Sequence, residues 1–296
     1  MERARVGEVE LCYELHGRRG QPVMVLVHGL AGSLASWDGA FVDQLVDHGF
    51  AVVVFDCRDS GQSTVLHDAP RYDLAAAARR DRSVVTYTLD DMADDTAGLL
   101  DALGVGQAHL VGVSMGGMIV QTTAARHPGR VLSLCSIMSS TGRRDVGLPS
   151  AEAAAVLSRR AATGRQAFVD QEMENMQIIG SVVPELVDLE WRRARFERIY
   201  DHGVHPAGNG RQIMAMVASG DRSAALASIA VPTLVVHGDA DPLVGVSGGR
   251  ATAAAIEGAE LLVVPGLGHE LPPAVWPVVV PAAVANTRRR AMSESR

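Results

Sequence analysis

Short runs of consecutive apolar residues recur along the chain, separated by segments whose apolar positions return every three or four residues. Val23–Val27, Ala51–Phe55, Val131–Ile137 and Glu260–Val264, together with 109–113 and 231–237, read as strands. An unbroken apolar run of this length marks a strand covered on both faces. Stretch 6–15 differs, because apolar and polar residues alternate there, which predicts an exposed strand or the first arm of a hairpin. Helical spacing is found at 38–48 and 89–103, the second through Met92, Leu99 and Leu103, with aspartates in its first turns where they favour a helix start. Further helices are expected around 248–256 and from about 274 to 288. Strands alternating with helices predict an α/β fold, a mostly parallel sheet with helices on both faces. Ligands bind beyond the carboxyl ends of the strands in such sheets.

From about residue 141 to 222 the strand signal vanishes. Helical stretches at 151–160, 167–176, 186–200 and 211–217 follow one another, separated by Gly and Pro. The expectation is a helical cap inserted between two strands, dividing the chain into a core of 1–140 plus 223–296 and a cap of 141–222. A chain of 296 residues accommodates one such domain with an insertion. The polar tail 288–296 is expected to fray.

Composition narrows the function classes. Aromatic residues are only 4%, so the core must be built mostly from Val, Leu, Ala and Met. A formal charge of −7 argues against nucleic acid or acidic membrane surfaces as partners. Cys12, Cys57 and Cys135 lie far apart without metal-ligand spacing, so a disulfide framework or zinc site is not expected. The N-terminus has no apolar signal core, and no apolar run approaches the ~20 residues of a membrane helix. A soluble, cytoplasmic protein is expected.

The chemistry centres on Gly112-Val-Ser-Met-Gly116, a G-x-S-x-G pattern between a strand run and a helical segment. A strand turning this sharply into a helix puts Ser114 in a strained backbone region and lifts its hydroxyl above the sheet edge. Serine needs a base, and the base an orienting acid. In this setting they should follow in the order acid, then His, each just past a strand. His269 after Glu260–Val264 fits the base. Asp241 and Asp239 both follow 231–237; Asp241, deeper in the loop and stiffened by Pro242, is preferred, with Asp239 bracing the turn. Oxyanion donors are expected at the amides of Met115 and Leu30, with His28 holding its own loop. Met173, Met176 and Met214 are candidates for an adaptable apolar substrate pocket. Trp191, Phe196 and Tyr200 are expected to pack the cap onto the body, and His202 and His205 to lie in solvated loops, with a hydrogen bond to substrate as the alternative. Arg192, Arg193, Arg195 and Arg198 read as a charged helix face, and Asp56, Arg58 and Asp59 as loop-bracing ion pairs. No metal or organic cofactor is called for.

His28-Gly29, Asp56-Cys-Arg-Asp-Ser-Gly-Gln-Ser63, Gly112-Val-Ser-Met-Gly-Gly117, Gly238-Asp-Ala-Asp-Pro242 and Gly268-His269 together resemble the α/β-hydrolase superfamily, over essentially the whole chain. Asp59 in the second motif, Gly266-Leu-Gly-His-Glu-Leu-Pro272 and the run from His205 to Arg222 most resemble the bacterial aclacinomycin methylesterase-like group. The resemblance implies a serine esterase acting on a small-molecule carboxylic ester, with a methyl ester of a polyketide as one form. Ser114 sets the chain apart from dehalogenases, and His28-Gly-Leu-Ala-Gly32 from proline iminopeptidases; Ala31 departs from the proline usual in cofactor-free perhydrolases. Perhydrolysis, carbon–carbon cleavage, a lyase reaction on the same residues and a non-catalytic binding protein are the alternatives.

Overall fold

Eight strands form one sheet: β1 (Glu2–Val6), β2 (Val9–His16), β3 (Val23–Val27), β4 (Ala51–Phe55), β5 (Ala108–Val113), β6 (Val131–Ile137), β7 (Thr233–Gly238) and β8 (Glu260–Val264). The computed structural model describes residues 1–69 and 82–289, so the end of the predicted tail, 290–296, lies outside the described residues. The sheet order is β1-β2-β4-β3-β5-β6-β7-β8. β1 and β2 run antiparallel to each other and β2 antiparallel to β4, while every later pairing is parallel.

Side chains alternate across each buried strand, and both sets are apolar. Val25, Val27, Val53 and Phe55 face one core with Leu89, Met92, Leu99, Ile119 and Val120. Those latter residues belong to helices α2 (Leu89–Ala102) and α3 (Met115–Arg126). Met24, Leu26, Val52 and Val54 face the other core with residues of α1 (Gly39–Asp47) and α10 (Trp276–Thr287). Burial on both sides is why these strands read as unbroken apolar runs.

The alternating stretch 6–15 is not one strand. It crosses the turn of the β1–β2 hairpin, where Val6 pairs with Val9 and Gly7 has φ +54°. Alternation continued through the turn, so periodicity alone hid the break.

Between β6 and β7 the chain forms α4 (Ala151–Ser158), α5 (Arg165–Ile179), α6 (Leu189–His202), α7 (Pro206–Ser219) and the short α8 (Ser223–Leu226); α9 (Ser247–Ala255) joins β7 to β8. α7 starts five residues ahead of the expected 211 because Pro206 occupies its first turn, where its missing N–H costs nothing. Asp188 caps α6 by accepting from the Trp191 amide at 2.8 Å. α5 and α6 share a small core of Phe168, Val169, Met176, Phe196 and Ile199. Phe196 and Tyr200 therefore serve this inner core, and of the three aromatics expected at the junction only Trp191 packs against the body. No helix among the described residues is long and apolar enough to cross a membrane.

Candidate active site

β5 ends at Val113 and α3 begins at Met115, leaving Ser114 alone in the turn with φ 57° and ψ −118°. Non-glycine residues avoid this region unless their surroundings impose it. Here the Ser114 amide donates to the Ile137 carbonyl at 2.8 Å and its carbonyl accepts from Met118 at 3.2 Å. Strand and helix also touch through bare backbone: a Cβ on Gly112 would overlap Gly116, and one on Gly116 would overlap the Val27 carbonyl. The two glycines flanking the serine are thus required by close approach.

The loop after β3 lies against the same serine, since a Cβ on Gly29 would sit 3.2 Å from Ser114 Cβ. His28 is buried and both its ring nitrogens are engaged. Nε2 accepts from the Cys57 amide at 3.1 Å, so Nδ1 carries the proton and donates to the Gly29 carbonyl at 2.7 Å. Burial pushes its pKa down, in keeping with this neutral form. His28 is a fixed loop brace. The Leu30 amide donates no hydrogen bond among the described residues. Met115 opens α3, where an amide has no carbonyl of its own helix to bond.

His269 and Asp241 meet on the far side. Asp241 follows β7, and its side chain is fully buried. Its Oδ1 accepts from the Leu243 and Val244 amides, each at 2.9 Å. Its Oδ2 accepts from His269 Nδ1 at 2.7 Å, which fixes the imidazole with Nε2 as its unprotonated nitrogen. Asp239 is exposed and accepts from the Gly266 amide at 2.7 Å, holding the loop after β8 from below. Among the described residues the Ser114 hydroxyl and His269 Nε2 are not hydrogen-bonded to each other.

The loop carrying His269 is clamped to the inserted helices. Its amide donates to Ile179 O at 2.7 Å, the Gly268 amide donates to Ser181 Oγ at 3.0 Å, and a Cβ on Gly268 would overlap Gly180. Glu270, the next residue, is buried and accepts from the Ser181 amide at 2.7 Å and from both Nε and Nη2 of Arg192. Within the expected charged helix face, Arg192 departs from a surface role: it is 3% exposed and locked in this pair with a carboxylate. Arg198 pairs with Asp38 at 3.0 Å but keeps 40% of its side chain exposed.

The expected loop histidines are also corrected. His202 ends α6, is buried, and donates through Nε2 to Asp56 Oδ2 at 2.7 Å; His205 Nε2 donates to Gly61 O at 2.7 Å. Asp59 is buried between Arg211 and the Tyr87 hydroxyl, and those partners hold its carboxyl below the usual range despite its burial. Arg58 grips Asp95 with two bonds of 2.6 and 2.7 Å. Sequence reading missed Glu270 and Arg192 as a pair. The available signal was a carboxylate placed directly after His269 in a loop otherwise made of Gly, Leu and Pro. Of the methionines, Met176 lies in the inner core of α5 and α6 with Met173 packed on it, and Met214 is 1% exposed.

A family model described as "alpha/beta hydrolase fold" matches residues 22–272. The rhodomycin D methylesterase DauP of Streptomyces sp. (strain C5) is 30% identical, over 95% of this chain and 96% of its own length. The bifunctional esterase/perhydrolase DCH of Acinetobacter calcoaceticus is 28% identical, over 89% of this chain and 91% of its own. The thermophilic esterase of Thermogutta terrifontis superposes with a TM-score of 0.71 at 26% identity, covering 96% of this chain and 97% of that one. With an elbow serine after β5, an Asp–His pair after β7 and β8, and a family match spanning all three, the chain belongs to the alpha/beta hydrolase fold family.

Proposed function

We propose that the protein is a serine-dependent carboxylic ester hydrolase acting through an acyl-enzyme. Ser114 attacks the ester carbonyl, His269 Nε2 takes the hydroxyl proton and delivers it to the leaving alcohol, and Asp241 holds the imidazole in that tautomer. The amides of Leu30 and Met115 receive the oxyanion of the tetrahedral intermediate, and losing one such donor typically costs ~3 kcal/mol of transition-state stabilisation. Water then enters, is deprotonated by His269, and releases the acid. The single observation that carries this reading is the bond from His269 Nδ1 to the fully buried Asp241, whose second oxygen is already taken by two amides. That arrangement leaves Nε2 as the unprotonated nitrogen of the His269 ring.

Residues 141–222 act in this reading as a cap over the strand ends, joined to the strand-end loops through Arg192, His202 and Arg211. The substrate is a small to medium apolar ester, and the resemblance to the DauP methylesterase favours a methyl ester of a polyketide-like metabolite. Three buried, unbridged thiols support a reducing, cytoplasmic setting.

The test is Ser114→Ala assayed on short activated esters, beside labelling of the wild type by a serine-directed phosphonate. Loss of turnover in a folded variant and a phosphonate adduct on Ser114 are the expected results; retained turnover or an unlabelled Ser114 overturns the proposal. Similarity to the bifunctional DCH enzyme supports a second outlet for the same acyl-enzyme, in which hydrogen peroxide replaces water. Peracid formation from an ester and added peroxide, dependent on Ser114, is its readout.

A further inference from the structure

Helix α6 lays a stripe of basic side chains against the body, at Arg192, Arg195, Arg198 and His202, the spacing that keeps residues on one helix face. Three of them meet a carboxylate of the body: Arg192 meets Glu270 after β8, Arg198 meets Asp38 after β3, and His202 meets Asp56 after β4. Arg195 makes neither a hydrogen bond nor an ion pair among the described residues. Its guanidinium is held by rings instead, with its central carbon 5.3 Å from the Phe196 centroid and 6.0 Å from that of Trp191.

Its position follows from its neighbours. α6 runs from the β8 loop at Arg192 to the β4 loop at His202, and in the sheet β3, β5, β6 and β7 lie between β4 and β8. The intervening stretch of α6 therefore crosses the strand ends that carry His28 and Ser114. The charge of Arg195 acts on His28, adding to the burial that keeps that ring neutral. Arg195 is half-buried, and burial disfavours its charge against the raising influence of Glu270 and Glu172. Neither carboxylate comes within ion-pair distance of it. A desolvated guanidinium stacked on aromatic rings is costly without an anion and well prepared to receive one.

We propose that Arg195 seats a carboxylate of the substrate, so that the ester hydrolysed at Ser114 carries a free carboxylate on its non-reacting part. This rests on the serine-esterase reading and revises its substrate class, placing one charged end on the otherwise apolar ester, as in half-esters of dicarboxylic acids or their analogues. A singly charged carboxylate suits the site better than a phosphate, because Glu172 and Glu270 already lie close enough to feel the charge of Arg195. The planar fork of the guanidinium matches the two oxygens of such a group.

The experiment compares kcat/KM for monomethyl adipate and dimethyl adipate in the wild type, Arg195→Met and Arg195→Lys. The wild type should favour the half-ester about tenfold or more, the preference expected of one charge-assisted pair. Arg195→Met should erase that ratio, chiefly through KM, and Arg195→Lys should restore part of it. Calorimetry of adipate binding to Ser114→Ala, with and without Arg195→Met, reads the same contact without turnover. Its loss on adding Arg195→Met supports the proposal even if Ser114 proves not to be the nucleophile, which keeps the two readings separable. A wild-type ratio near one overturns the proposal, whether or not the variants fold. So does a ratio that survives Arg195→Met in a variant with an unchanged unfolding midpoint, or adipate binding indifferent to Arg195.

Discussion

Removing Arg192 tests how firmly the loop of His269 is held. The Arg192 and Glu270 side chains are 4% and 1% exposed, so neither finds water in place of its partner. Glu270 Oε2 accepts from Arg192 Nε at 2.8 Å, and Oε1 accepts from Arg192 Nη2 and from the Ser181 amide. Arg192→Met preserves much of the packed volume but leaves Glu270 with the Ser181 amide alone. A buried charge stripped of its partner typically costs ~3–5 kcal/mol. Set against a whole-domain stability of about 5–15 kcal/mol, that is a large fraction of the total.

Urea unfolding of the wild type, Arg192→Met, Glu270→Gln and the double variant measures this directly, with m-values checked for constancy. Each single change should lose about 3 kcal/mol or more, and the double should lose at least ~2 kcal/mol less than their sum, because the second change removes the charge that the first stranded. Activity should fall too, since the pair adjoins His269 and a displacement of about 1 Å at a catalytic group can cost up to ~10²-fold. A loss below about 1 kcal/mol in Arg192→Met, or strict additivity in the double, would refute the reasoning: the pair would then be solvated or dispensable.

Asp241→Asn should lower kcat by about 10⁴-fold, because an amide facing Nδ1 favours the wrong imidazole tautomer; Asp239→Asn, exposed and with its side chain bonded among the described residues to the Gly266 amide alone, should cost under ~1 kcal/mol of stability and little activity. Steady-state kinetics on one activated ester separates the two, and equal losses would show that the acid has been misassigned. His109 is buried with its Nδ1 against Ser133 Oγ, and burial pushes its pKa down from 6.5 to about 4. The unfolded chain therefore binds a proton that the native state refuses, so this contribution is complete above pH 6.5 and is lost as pH falls through about 4, by roughly 3 kcal/mol. Unfolding free energies across that range should fall less steeply in His109→Gln; parallel curves would remove His109 from the account. Ser114→Gly should be more stable than Ser114→Ala by about 1–3 kcal/mol, the strain a side chain bears at φ 57°, and equal midpoints would mean the elbow is unstrained.

The parts of the fold that were legible in the sequence are those where a local pattern decides the outcome. β3 and β4 show themselves because both faces of each are buried. The elbow shows itself because only glycine fits at positions 112 and 116. Asp239 and Asp241 are the same residue type two positions apart, and their roles separate only in space: one reaches the Gly266 amide, the other the His269 ring. The arginines of α6 were opaque for a related reason. Arg192 and Arg193 are neighbours with identical chemistry, yet one is buried on Glu270 while the other reaches Asp170 at the surface. A helix that presents polar residues on both sides carries no apolar stripe to reveal which side faces inward.

The contacts that fasten the inserted helices share one property, which explains both their invisibility and their use. Arg192–Glu270, His202–Asp56 and Arg211–Asp59 join residues 78, 146 and 152 positions apart, and all six side chains are buried. Buried polar and ionic pairs repay little of their desolvation cost in net stability, whereas a mismatched pairing is severely penalised. Their effect is to select one seating of the helices over all others. Each partner on the body belongs to a strand-end loop: Glu270 beside His269, and Asp56 and Asp59 in the turn that also bonds His28 through the Cys57 amide. Sliding α6 by one turn would strand the buried carboxylates of Glu270 and Asp56 together. The helices and the loops bearing His28 and His269 are therefore expected to hold one register, and the geometry around Ser114 depends on residues far from it in sequence.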